Sequence, residues 1–194
     1  MTLTDYCILG IFAAAFGMQF FLKKYQSKYP AIYRTVFFIS IAVVFGFALY
    51  WSIMQYSVWK NSPASAKYLL PPYQEINYFI EYAFTRFWAP HLISLAMSLL
   101  AFFGVKYFNK KYEERFLERE ECYFLALAIF LTSHPGWITY LILTLFISLL
   151  SSAIYSLKNK DGRLSLYYFW LPTAFFTIII NKCFVLHWVQ VFKI

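Results

Sequence analysis

Three histidines and one polar pair inside an apolar run are the places where this chain could do chemistry. His134 stands in Ser133-His-Pro-Gly-Trp137, a tight connection between two apolar runs. Imidazole titrates near neutrality, so a histidine in a wet turn can take a proton, sense pH or act as a base. His134 is therefore the one candidate catalytic residue; its plainer role is to cap the turn beside Trp137. His91 follows Pro90 at the start of another run, with Ser94 and Ser98 below it on one helical face. Those hydroxyls either line a polar path or satisfy helix-terminal groups. Asn181 and Lys182 interrupt Thr177-Ile-Ile-Ile180 and Cys183-Phe-Val-Leu186. A charge at mid-membrane costs about 2.5–3.5 kcal/mol, so such a lysine marks function by default. Lys182 lies roughly 6 Å from the midpoint of its run at the helical rise, which also lets its stem snorkel to the head groups. His91, Asn181 and Lys182 make up the candidate ligand site or polar path. Thr173, Thr177 and Asn181 share a face suited to hydrogen-bonding a neighbouring helix.

Other chemistries lack their residues. Cys7, Cys122 and Cys183 have no metal-ligand or redox spacing, and are expected to be buried thiols. The third histidine, His187, completes no H-x-x-x-H or H-E-x-x-H pattern, so neither a metal nor a cofactor is expected. The only aspartates, Asp5 and Asp161, fall outside the apolar runs, which excludes an intramembrane aspartyl protease. No G-x-S-x-G, P-loop, dinucleotide fingerprint or C-x-x-C occurs. The expectation leans away from an enzyme.

The elements that must position these residues are set by composition. The chain is 61% hydrophobic and 24% aromatic, with 13% charged residues, against roughly 25% charged in a soluble domain. One soluble core of this size could not hide 23 Phe, 17 Tyr and 6 Trp, whereas a bilayer lets apolar side chains face outward. The expected fold is all-α: a polytopic transmembrane helix bundle in a single membrane domain. The spans are about 6–22, 35–55, 90–108, 118–133, 137–157 and 167–189. The fourth is the weak one, because its uninterrupted apolar stretch runs only from Cys122 to Leu131; a re-entrant segment with five spans is the alternative.

Charge sets the orientation. Of the 17 Lys and Arg, 12 fall in the connections Lys23–Arg34, Lys106–Glu121 and Lys158–Arg163. Six spans put all three on one side, which the positive-inside rule makes cytoplasmic, with both termini outside. The net charge of +8 is then matched by anionic lipid rather than nucleic acid. Trp51, Trp59, Trp88, Trp137 and Trp188 fall at or beyond the outer ends, where indole favours the interface. Between the second and third spans, residues 73–88 alternate apolar and polar faces at helical spacing. This is read as an outer interfacial helix. Tyr73, Tyr78, Glu81, Tyr82 and Arg86 would form its partner-binding surface. The charged stretch Lys110–Glu121 reads as a solvated cytoplasmic hairpin.

Small residues supply helix-packing faces: Gly10, Ala13, Ala14 and Gly17 on the first span, Ala42 and Gly46 on the second, Ser94, Ser98 and Ala101 on the third, Ser148 and Ser152 on the fifth. They serve packing within the chain or between chains. The expected role is a non-enzymatic subunit, sensor or scaffold of a membrane assembly in a bacterial inner membrane. The expected assembly is a homo-oligomer or a complex with a soluble cytoplasmic partner. Accessory systems such as phage (antiviral) defence, bacteriocin immunity or secretion use proteins of this kind. The alternatives are a small-solute or ion transporter or channel, and an interfacial lipid- or lipoprotein-modifying enzyme with His134 as base.

Overall fold

A computed structural model of the chain describes residues 3–22, 29–62, 65–112, 120–158, 167 and 169–183. Among these, every regular element is helical. His187, Trp188, Asp161, the side chains of Lys182 and Cys183, and most of the Lys110–Glu121 stretch lie outside the described residues. The helices are α1 (Leu3–Leu22), α2 (Tyr29–Asn61), α3 (Ile76–Ala83), α4 (Ala89–Lys111), α5 (Glu121–Thr132), α6 (Gly136–Lys158) and α7 (Trp170–Cys183). A 3-10 turn at Ser65–Leu69 follows α2, and a π turn at Phe84–Trp88 joins α3 to α4.

Three of these helical stretches are long and apolar enough to cross a membrane: Ala31–Asn61, Ile76–Lys111 and Gly136–Tyr155. Three shorter apolar helices, Leu3–Gln19, Glu121–Thr132 and Trp170–Asn181, accompany them. The outward faces of the long ones are apolar. Phe38, Ile39, Leu100, Phe103, Leu145, Phe146 and Leu149 are all exposed, which water would penalise and hydrocarbon would not.

The shortest of the six, α5, is the centre of the packing. It touches α2, α4, α6 and α7, and of its residues only Tyr123 escapes full burial. A helix that is apolar all round has no face for water, so burial from every side is its stable outcome. Along α4, Ser94 donates its hydroxyl to the Ile129 and Phe130 carbonyls (3.1 and 2.7 Å), and Ser98 donates to Ala126 (2.7 Å). Small side chains let the two backbones approach closely enough for these bonds. On another side, rings from α2 meet rings from α5: Tyr33 against Phe124 with centroids 4.4 Å apart, and both Phe37 and Phe45 against Phe130.

These contacts fix directions. Residues 94 and 98 of α4 meet 129–130 and 126 of α5, so the two run antiparallel. Trp51 of α2 bonds Thr4 of α1, and Tyr33 bonds the Ala15 carbonyl, so these two are antiparallel as well. Gln19 of α1 donates to the Tyr167 carbonyl, and Trp170 of α7 donates to Glu121 of α5. One end of the molecule therefore gathers Thr4, Trp51, Pro90, Ser133 and Asn181, and the other gathers Gln19, Tyr33, Glu121 and Trp170. They are called here the Pro90 end and the Glu121 end.

The polar face of α7 departs from expectation. Thr173 and Thr177 are buried, but each hydroxyl bonds a carbonyl of its own chain four residues back, Phe169 and Thr173 respectively. The face packs against neighbours without bonding them, because a threonine in a helix reaches its own preceding turn most easily.

Beyond the Pro90 end, α2 continues about 14 Å past Ser52 at the helical rise. Its last turns carry Trp59, on which Leu70, Phe79 and Ala83 close a second, smaller core. Trp59 lies 5.4 Å from the Phe79 ring and 4.9 Å from Tyr82. The helix read as interfacial thus begins at Ile76, with Tyr73 in the turn before it, and continues through the π turn into α4.

Candidate functional site

Where α1, α2, α4, α5 and α7 meet the π turn, the Pro90 end holds a cavity of about 420 Å³. Each wall has a local cause. From α1 come Thr4, Asp5 and Ile8; from α2, Phe47, Ala48 and Trp51. The indole N–H of Trp51 donates to Thr4 Oγ1 at 2.9 Å and ties these two walls together. Trp88 likewise donates to Ser52 Oγ at 3.1 Å, fastening the start of α4 to α2.

The π turn contributes Arg86 and Phe87. Its backbone bond runs from the Ala89 N–H to the Phe84 carbonyl, five residues back. One extra residue rotates the face that follows by about 100°, the angle per residue of an α-helix. Arg86 borders the cavity while remaining exposed, as Glu81 is on the α3 surface.

His91 enters from α4, and its Nδ1 lies 3.3 Å from Ser133 Oγ. Ser133 follows the end of α5 with φ 57° and ψ 167°, a conformation that glycine adopts freely and serine only under strain of about 1–3 kcal/mol. That strained residue turns the chain so that Thr132 and Ser133 both face the cavity. The His134 N–H donates to the Pro90 carbonyl at 3.3 Å, closing the turn on the start of α4.

The last wall is α7, through Ile178 and Asn181. Asn181 packs on the start of α6, where a Cβ added to Gly136 would come within 3.0 Å of Asn181 Nδ2. Its Oδ1 is buried and accepts no hydrogen bond. A buried acceptor left without a donor is costly, so a donor reaching it would be stabilising.

The candidates from sequence are partly united. His91 and Asn181 share the cavity, and Arg86 joins them from the segment assigned to partner binding. The side chain of their companion Lys182 lies outside the described residues. His134 is not a wall of the cavity. It is half-buried, and its Nδ1 accepts from Trp137 Nε1 at 3.3 Å, so Nε2 carries the proton of the neutral ring. Tyr73, Tyr78 and Glu81 are exposed, while Tyr82 is half-buried against Trp59. No group of three or more His, Cys, Asp or Glu able to hold a metal ion occurs among the described residues.

Sequence reasoning missed Asp5. With the first run begun at Tyr6, its carboxyl was placed outside the helix; α1 starts at Leu3, and Asp5 is buried in its first turn, 7% exposed. The signal was present, since acidic residues favour the first turn of a helix. Thr4 and Trp51 were also not linked, because nothing in a sequence pairs positions so far apart.

The chain matches no known family model, no curated protein and no solved structure.

Proposed function

We propose that this chain crosses a bacterial inner membrane six times, with α1, α2, α4, α5, α6 and α7 as a bundle, and that it acts as a non-enzymatic subunit or sensor of a membrane assembly. The Pro90 end and both termini face outward, and the three basic connections lie in the cytoplasm. The alternating helix directions support six crossings over a re-entrant fourth segment. Trp51, Trp88 and Trp137 gather at the Pro90 end, as an interfacial belt would.

The observation that carries the assembly is the fate of the small-residue faces. That of α4 is consumed inside the chain, with Ser94 and Ser98 buried against α5. The face of α1 is not. Gly10, Ala13 and Ala14 are exposed, and a Cβ added at Gly10 or Gly17 meets nothing within 4 Å. Ala42 and Gly46 of α2 are exposed too. Lipid gives helices no hydrophobic reason to associate, so smooth faces are where a second helix packs.

The test is purification from mild detergent with mass measurement. A homo-oligomer or a stoichiometric partner is expected, lost on Gly10→Leu with Ala14→Leu, while the thermal stability of the single chain stays within about 0.5 kcal/mol. A monomer with no companion protein would refute the reading.

A further inference from the structure

The cavity at the Pro90 end has a volume typical of small-ligand sites, roughly 300–1,000 Å³. Two of its groups can take a partner from outside the chain. Asn181 Oδ1 is a buried acceptor with no donor. Arg86 stands exposed on the cavity rim and forms no ion pair with an acidic side chain among the described residues, so its guanidinium is open to an anion. A guanidinium fork matches the oxygens of a phosphate better than any other common anion except a carboxylate. The remaining surface is largely apolar, through Ile8, Phe47, Leu131 and Ile178. A fitting ligand therefore carries an anion, a hydrogen-bond donor a few atoms away, and an apolar flank. The cavity also lies at the level of Trp51, next to the exposed apolar face of α2.

We propose that this cavity binds the headgroup of a phosphatidylethanolamine. The phosphodiester sits against the Arg86 guanidinium, and the ammonium donates to Asn181 Oδ1. The glycerol and first acyl carbons lie along Phe47 and Leu131. This rests on the membrane reading given above. Phosphatidylcholine supplies the contrast: it has the same phosphate, but its quaternary nitrogen has no N–H to give.

The test titrates the full chain in detergent with ethanolamine and choline lipids of identical acyl chains and counts retained lipid by native mass spectrometry. The ethanolamine lipid is expected to be retained about tenfold better, the factor a charge-assisted hydrogen bond carries. Arg86→Gln weakens both lipids, Arg86→Lys restores part of the loss, and Asn181→Leu lowers the ethanolamine lipid to the choline level. Equal retention by the unaltered chain overturns the proposal, as does a preference that survives both substitutions. Free glycerophosphoethanolamine provides the second arm; if it displaces the lipid at equal concentration, the site takes a soluble ligand and the lipid assignment falls. A chain that is monodisperse without surfactant ends the membrane reading, whereas one that requires surfactant but shows no preference ends only this proposal.

Discussion

The hydroxyl of Ser94 on α4 bonds two carbonyls of the last turn of α5, those of Ile129 and Phe130. The last four carbonyls of any helix lack ladder donors; Phe130's accepts the Ser133 N–H and Ile129's the Thr132 hydroxyl, and Ser94 adds a second donor to each, partly capping α5 from the side. Ser98 instead reaches Ala126, whose carbonyl lies within the helical ladder. Ser94→Ala is therefore expected to cost roughly 1–2 kcal/mol and Ser98→Ala about 0.5 kcal/mol. Thermal unfolding in detergent gives the order; equal effects would contradict the capping account.

A Cβ at Gly136 would come within 3.0 Å of Asn181 Nδ2 across the start of α6. Gly136→Ala forces the amide aside and is expected to destabilise by about 1 kcal/mol through overpacking. In an Asn181→Ala background the same change should be neutral or stabilising, since alanine is the better helix former. The double-mutant cycle checks this, and additivity of the two changes would show that the contact does not matter.

Ser133 holds both backbone strain and the contact to His91. Ser133→Gly relieves the strain and is expected to match or exceed the parent in stability. Ser133→Ala keeps the strain, loses the hydroxyl and should fall below the parent by about 1 kcal/mol. The ranking by thermal midpoint is the measurement; alanine at or above glycine would refute it.

The orientation is open to thiol labelling. With the native cysteines replaced, a cysteine at Tyr73 should react with an impermeant reagent in intact cells, and one at Lys111 only after the membrane is opened. Both positions are exposed, so access is set by the side of the membrane. Labelling of both from outside would break the six-crossing layout.

How much of this was legible in the sequence varies by residue. The helical class and the apolar stretches follow from composition, because a run of Ile, Leu and Phe needs no partner identified to be recognised. The short run Cys122–Leu131 looked like a weak span for the same reason it is the most buried helix: with apolar residues on every side, it has no amphipathic signal to report its neighbours. Arg86 was placed on an interfacial face by counting at a constant 3.6 residues per turn. Its place at the cavity rim depends on how α1, α2 and α7 pack around it, which no residue type between Phe84 and Trp88 announces. His91 and Asn181 were singled out separately, but their sharing of one cavity depends on α5 lying between them. That arrangement arises from tertiary packing rather than from either local sequence.

At the helical rise, α5 spans only about 18 Å, well short of the roughly 30 Å of a hydrocarbon layer. A lipid-facing helix of that length would have to thin or dimple the bilayer around it. This one is sheathed by α2, α4, α6 and α7, so in the proposed six-crossing layout acyl chains would hardly meet it and bilayer thickness would exert no selection on its length. The glutamates at its start can therefore sit deeper than the neighbouring helix ends without deforming the membrane, and lipid composition should tune the sheath while leaving the axis untouched.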